Sequence, residues 1–152
     1  MAIVVRAAMA AAVMWVGVGR TAAAQPAAIS AAAVRAIAEA DRPENEKLAE
    51  YHLLASQYPN DFSWALHNEI RHLYAGRNER ASMGQCEIIL SHVPDDEYIL
   101  NILSNWTLGK DTAAAISELE EKARRYRDLR HVSAACRLAV RSLREGQKTE
   151  AP

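Results

Sequence analysis

Two cysteines, one phenylalanine and six glycines are all that 152 residues contain, and each shortage closes off a class of protein. Two cysteines cannot build the disulfide framework that replaces a core in many small secreted domains. No CxxC pair, P-loop, dinucleotide-binding glycine motif or nucleophile elbow occurs, so no cofactor, catalytic residue or enzymatic activity is expected. Long apolar–polar alternation is missing too, which argues against a sheet. Alanine, the best intrinsic helix former, supplies much of the apolar half of the composition. The expected fold class is therefore all-α.

The chain is long enough for one domain with its own core. Its charged fraction of 24% is ordinary for a globular protein. Net charge is −1, but the signs are segregated. Residues 39–121 carry 16 acidic and 6 basic side chains, whereas residues 122–148 carry 9 basic and 2 acidic ones. Such a layout either steers a charged partner or merely solvates two ends of one molecule.

The N-terminus has the order of an export signal. Arg6 is followed by the apolar run Ala7–Gly19, then by Thr21-Ala22-Ala23-Ala24-Gln25. Ala22 and Ala24 occupy the small positions of an A-x-A site, which places the cut between Ala24 and Gln25. The run is shorter than the roughly 20 residues that span a bilayer. The expected organisation is a signal peptide over 1–24, a helical domain over 25–146 and a disordered tail over 147–152. Once the signal is cut, no membrane span is expected. Arginine outnumbers lysine 14 to 4, a bias that suits a GC-rich bacterium, so the expected destination is periplasmic or secreted.

Apolar spacing and punctuation divide the remainder into seven helical segments. They run from about Ala28 to Ala40, Glu44 to Gln57, a start capped by Asn60 or Asp61 to Ala75, and Glu79 to His92. A fifth follows Val93-Pro94-Asp95-Asp96 and ends at Gly109. Asp111 caps the sixth, and Asp128 opens a seventh that ends at Gly146.

Self-comparison exposes a repeat. Tyr58-Pro59-Asn60-Asp61 returns as Val93-Pro94-Asp95-Asp96, and Leu73-Tyr74-Ala75-Gly76 returns as Trp106-Thr107-Leu108-Gly109. The offsets of 35 and 33 residues centre on a period near 34. With Trp64 early in a first helix, Ala81 and Ala114 in second helices, and Pro59 and Pro94 as closing prolines, the chain resembles the tetratricopeptide repeat family. The resemblance implies antiparallel helix hairpins stacked as a short α-solenoid, with the amphipathic last helix as a cap. It also implies a protein-interaction module acting as an adaptor, assembly factor or chaperone-like subunit.

Two surfaces are candidates for binding. Asn68, Arg71 and His72 form an i, i+3, i+4 stripe, and Asn101, Ser104 and Asn105 repeat it 33 residues later. Together they form a ladder suited to the backbone of a peptide or protein partner on a concave face. The alternative is contact between an anionic envelope surface and Arg130, Arg137, Arg141, Arg144 and Lys148 of the last helix. Export and the absence of interleaved aromatic residues argue against nucleic acid. His67 and His72 stand five residues apart, the wrong spacing for one ion, so no metal site is expected. Cys86 and Cys136 are read as buried thiols, because stacked hairpins would separate their helices. Glu118, Glu120 and Glu121 each precede a basic residue by four, as helix-stabilising pairs do.

Overall fold

Four of the helices start where a short polar side chain meets the first free N–H groups. The structure, a computed structural model, describes residues 28–94 and 97–150. The expected signal peptide and its cut before Gln25 lie outside the described residues, as do Asp95, Asp96 and residues 151–152. Seven helices are present among the described residues: α1 (Ala31–Glu39), α2 (Glu44–Gln57), α3 (Trp64–Ala75), α4 (Glu79–His92), α5 (Glu97–Asn105), α6 (Thr112–Arg125) and α7 (Arg130–Glu150). No strand occurs among those residues. The protein is all-α.

Ser30, Ser63, Asn78 and Asp111 cap α1, α3, α4 and α6, each accepting a backbone N–H from three residues onward. The expected cap of α3, Asn60 or Asp61, is replaced by Ser63. Asp61 is engaged elsewhere, since its carboxylate accepts the Ile29 N–H at 2.7 Å and ties the entry of α1 to the joint before α3. α5 stops at Asn105, short of Gly109. The chain leaves it through turns in which Gly109 takes φ 78°, a left-handed conformation that glycine adopts without strain. α7 passes through Gly146 to Glu150, although the sequence places its end at Gly146. The helix formers Glu145, Gln147 and Lys148 flank that glycine, and they offset its penalty of about 1 kcal/mol. Four residues of the expected tail are thus helical.

Packing falls into two apolar clusters. Val34, Tyr51, Leu66 and Ile70 join α1, α2 and α3. The larger cluster gathers Cys86 and Ile89 from α4, Leu103 from α5, Leu119 from α6 and Val132 and Cys136 from α7. α7 packs against α4, α5 and α6 alike. The broadest pairings are α3 with α4 and α6 with α7. In the repeat read from the sequence, α5 and α6 make the third hairpin and α7 only closes the end. Here α6 lies chiefly along α7, which occupies the centre of the larger core. The hydroxyl of Tyr51 is buried without a hydrogen-bond partner among the described residues. Burial, helped by the charge of Glu69, pushes its pKa up to about 12.

α7 has no side-chain cap from its own segment. Asp128, expected to open it, pairs with Arg80 of α4 instead. The cap comes from α4: the Glu87 carboxylate accepts the N–H groups of His131 at 2.9 Å and Val132 at 3.0 Å, and also meets the His131 ring at 2.8 Å. Burial opposes ionisation of Glu87, but these donors outweigh it and hold its pKa below the usual carboxylate value of 4.5. A depressed carboxylate stabilises the fold above its unfolded pKa, and that contribution is lost as pH falls through the folded one. Replacement Glu87→Ala should therefore lower the unfolding free energy by about 1–2 kcal/mol at neutral pH. Urea titrations should also show the variant and the parent converging in acid, as pH falls through the lowered Glu87 pKa; a gap that stays constant with pH would contradict the capping role.

Candidate functional site

α6 and α7 are joined by residues 126–129 and lie side by side, so their facing turns define a groove. α6 and the turn after it contribute Glu120, Ala123, Arg124 and Arg127, spaced i, i+3, i+4 and i+7 along one face. α7 contributes Arg137, Val140, Arg141, Arg144 and Glu145, with the same periodicity. The space between them is about 790 Å³. Ala123 and Val140 form its floor and are themselves only 7% and 6% exposed. Arginines therefore dominate the surface a ligand would meet.

Five arginines share this groove, and one has a partner there: Arg144 donates to Glu120 at 2.6 Å. Arg124, Arg127, Arg137 and Arg141 form no salt bridge among the described residues. The i, i+4 pattern assigns Glu120 to Arg124, but only two of the three expected pairs form, Glu118 with Lys122 and Glu121 with Arg125. Glu120 turns across to α7 and leaves Arg124 open. Guanidinium groups that lack a salt bridge and stand close together repel one another.

The sequence candidates divide sharply. Arg137, Arg141 and Arg144 line the groove, whereas Arg130 is exposed outside it. The side chain of Lys148 lies outside the described residues. Arg124 and Arg127 are not among the sequence candidates, because a stripe read along one helix misses a site that spans two.

The amide-rich ladder does not survive as a binding face. Asn68 and Arg71 are buried, at 7% and 3% exposure. Arg71 donates from Nε and Nη2 to the Asn68 carbonyl oxygen, at 3.2 and 3.0 Å, and Nη2 also meets His72 Nε2 at 2.7 Å. Ser82 of α4 donates to the Arg71 backbone carbonyl at 3.1 Å. This is an internal polar seam, because α4 covers the face that a peptide would have to reach. Burial and the Arg71 guanidinium lower the pKa of His72, which stays exposed at the rim. On α5, Asn101, Ser104 and Asn105 are exposed, with Ser104 donating to the Leu100 carbonyl. One rung of the ladder is left, not two.

Among the histidines, His67 meets Gln85 through Nδ1 while His72 meets Arg71, so the two serve different partners. His67 and His92 flank the ring of Phe62, stacked at centroid distances of 5.6 and 4.2 Å. Cys86 and Cys136 are free thiols and fully buried, but not because their helices are separated, as stacked hairpins would require: α4 and α7 pack directly. Burial pushes both up to about 11, with the neighbouring Cys136 adding to the effect on Cys86.

No protein-family model, curated protein or solved structure matches this chain.

Two outcomes follow from these placements. Asn68→Ala strands a buried guanidinium and should lower stability by about 1–3 kcal/mol. Asn101→Ala, at an exposed position, should change it by less than about 0.5 kcal/mol; equal losses in parallel urea titrations would refute the seam. Native protein should leave both thiols unmodified by an aromatic disulfide reagent, and denaturant should release two equivalents of reactive thiol. Rapid labelling of the folded chain would show that the core opens.

Proposed function

We propose that this protein is an exported, non-catalytic binding module whose working surface is the α6–α7 groove and whose partner is anionic. The observation that carries the reading is four arginines, without a salt bridge among the described residues, facing one space. Arginine forks bind carboxylate and phosphate oxygens in a bidentate fashion, which lysine does not reproduce. The segregation of charge along the chain acts in the same direction, drawing an anionic partner towards the C-terminal helices. Export rests on the signal-like order of residues 1–24, and the hairpin-stack architecture rests on the 34-residue period and the resemblance to tetratricopeptide repeats. Among the described residues no helix is long and apolar enough to cross a membrane.

Of the two surfaces the sequence offers, the amide ladder loses Asn68 and Arg71 to the interior, so the basic face is the better candidate for the binding surface. Its membership changes: Arg130 drops out, and Arg124 and Arg127 enter from α6 and the turn after it.

Retention on a heparin column tests this directly. Wild-type protein should be held at low salt, and the double replacement Arg127→Gln with Arg137→Gln should weaken binding on the order of tenfold. Screening predicts that the difference shrinks as salt rises. Identical elution of the two proteins would remove the groove as the binding surface.

A further inference from the structure

Anionic partners come in several kinds, and the shape of the groove narrows the choice. Two features bear on it: how closely the arginines are spaced, and how fully the two apolar floor residues are covered.

Arg124 and Arg127 are separated by three residues of chain, and Arg137 and Arg141 by four. Arg137 and Arg141 therefore lie within about 6 Å of axial length along α7, while Arg124 stands in the last turn of α6 and Arg127 in the turn that follows it. A peptide presents at most one carboxylate per residue, and neighbouring side chains of an extended strand point to opposite sides. A phosphate carries close to twice the charge of a carboxylate near neutral pH, roughly −2. A diphosphate therefore concentrates about three negative charges on two linked groups, more than a short acidic peptide places in the same space.

The floor points the same way. Peptide recognition draws its energy from apolar anchors set into pockets. Ala123 and Val140 are almost wholly covered, so the floor offers no such anchor site. The Arg144–Glu120 ion pair and Glu145 occupy the other end of the groove, so the uncompensated charge is confined to the Arg124, Arg127, Arg137 and Arg141 portion. The groove as a whole, at about 790 Å³, has the volume of a small-molecule site.

We propose that the α6–α7 groove binds a diphosphate group, gripped by Arg124 and Arg127 from one side and Arg137 and Arg141 from the other. The inference rests on the binding-module reading and adds the ligand class to it. The same group can arrive free in solution or at the head of a lipid. No bond is made or broken, and the groove only holds the group.

Calorimetric titration of the full chain with inorganic pyrophosphate tests this, with inorganic phosphate and a hexaglutamate peptide as comparators. Pyrophosphate should bind about tenfold or more tightly than either, because two linked phosphates engage both arginine pairs at once. The variant Arg124→Gln with Arg141→Gln should lose about tenfold in affinity, while Arg130→Gln, on the same helix as Arg141 but outside the groove, should not. All three changes are at exposed positions, and matching urea titrations verify that the fold is kept. Parallel sedimentation with phosphatidylcholine vesicles carrying farnesyl diphosphate assigns the source: vesicle capture supports a lipid-borne group, and solution binding alone supports a free one. If heparin retention depends on the groove but pyrophosphate does not bind, the ligand class is overturned and the binding module stands. If hexaglutamate binds as tightly as pyrophosphate, the diphosphate assignment fails. If neither heparin nor pyrophosphate responds to the arginine replacements, both readings fall together.

Discussion

The larger half of this structure depends on where α7 begins, and that is set by a carboxylate belonging to another helix. Glu87 of α4 accepts the first backbone N–H groups of α7, and Arg80 of the same helix pairs with Asp128 in the joint before it. Two polar links from one helix thus fix the entry point and direction of another. With its start held, α7 can present Val132, Cys136 and Val140 to the core over successive turns. α4, α5 and α6 then share one apolar support. Tertiary capping of this kind supplies long-range specificity that an apolar face alone does not, since apolar contacts tolerate sliding.

Between the two clusters runs the polar seam of Asn68, Arg71 and Ser82. A guanidinium at 3% exposure is costly unless its donors are met. Asn68 meets two of them from one turn earlier, and the Arg71 carbonyl is met in turn by Ser82 of α4. The seam sets how α3 lies on α4. A second link joins α4 to α6 where Lys122 bonds Glu79 at 2.6 Å and sits 4.6 Å from the Trp106 ring centroid. Many polar groups among the described residues register the helices, and Arg124, Arg127, Arg137 and Arg141 of the α6–α7 groove stand out because they form no salt bridge there.

Local signals make much of the fold legible. α2 and α4 begin and end where proline, asparagine and glycine punctuation places them, and Asp111 caps α6 as its position foretells. What escapes is non-local. Ser63 outcompetes Asp61 because Asp61 is engaged by Ile29, thirty-two residues away. Gly146 reads as a stop, but the residues around it favour continuing the helix. The Asn68–Arg71 stripe has the spacing of a polar face whether it meets solvent or another helix, so spacing alone cannot tell the two apart. The groove is half visible: Arg137, Arg141 and Arg144 stand on one helix, while local pairing of Glu120 with Arg124 hides the other side. The 3-4-7 spacing of Glu120, Ala123, Arg124 and Arg127 is present in the sequence and carries the missing half.

α7 serves two masters. Its inward face holds the larger core together, and its outward edge supplies Arg137 and Arg141 to the groove, with α6 contributing to both sides of the same arrangement. An anion held between the open guanidinium groups would offset their mutual repulsion and bridge the two helices. By mass action, whatever occupies the groove also deepens the native well of the folded state. If the groove holds an anion as proposed, its placement couples occupancy to the lifetime of the fold, and the empty chain is the more readily unfolded.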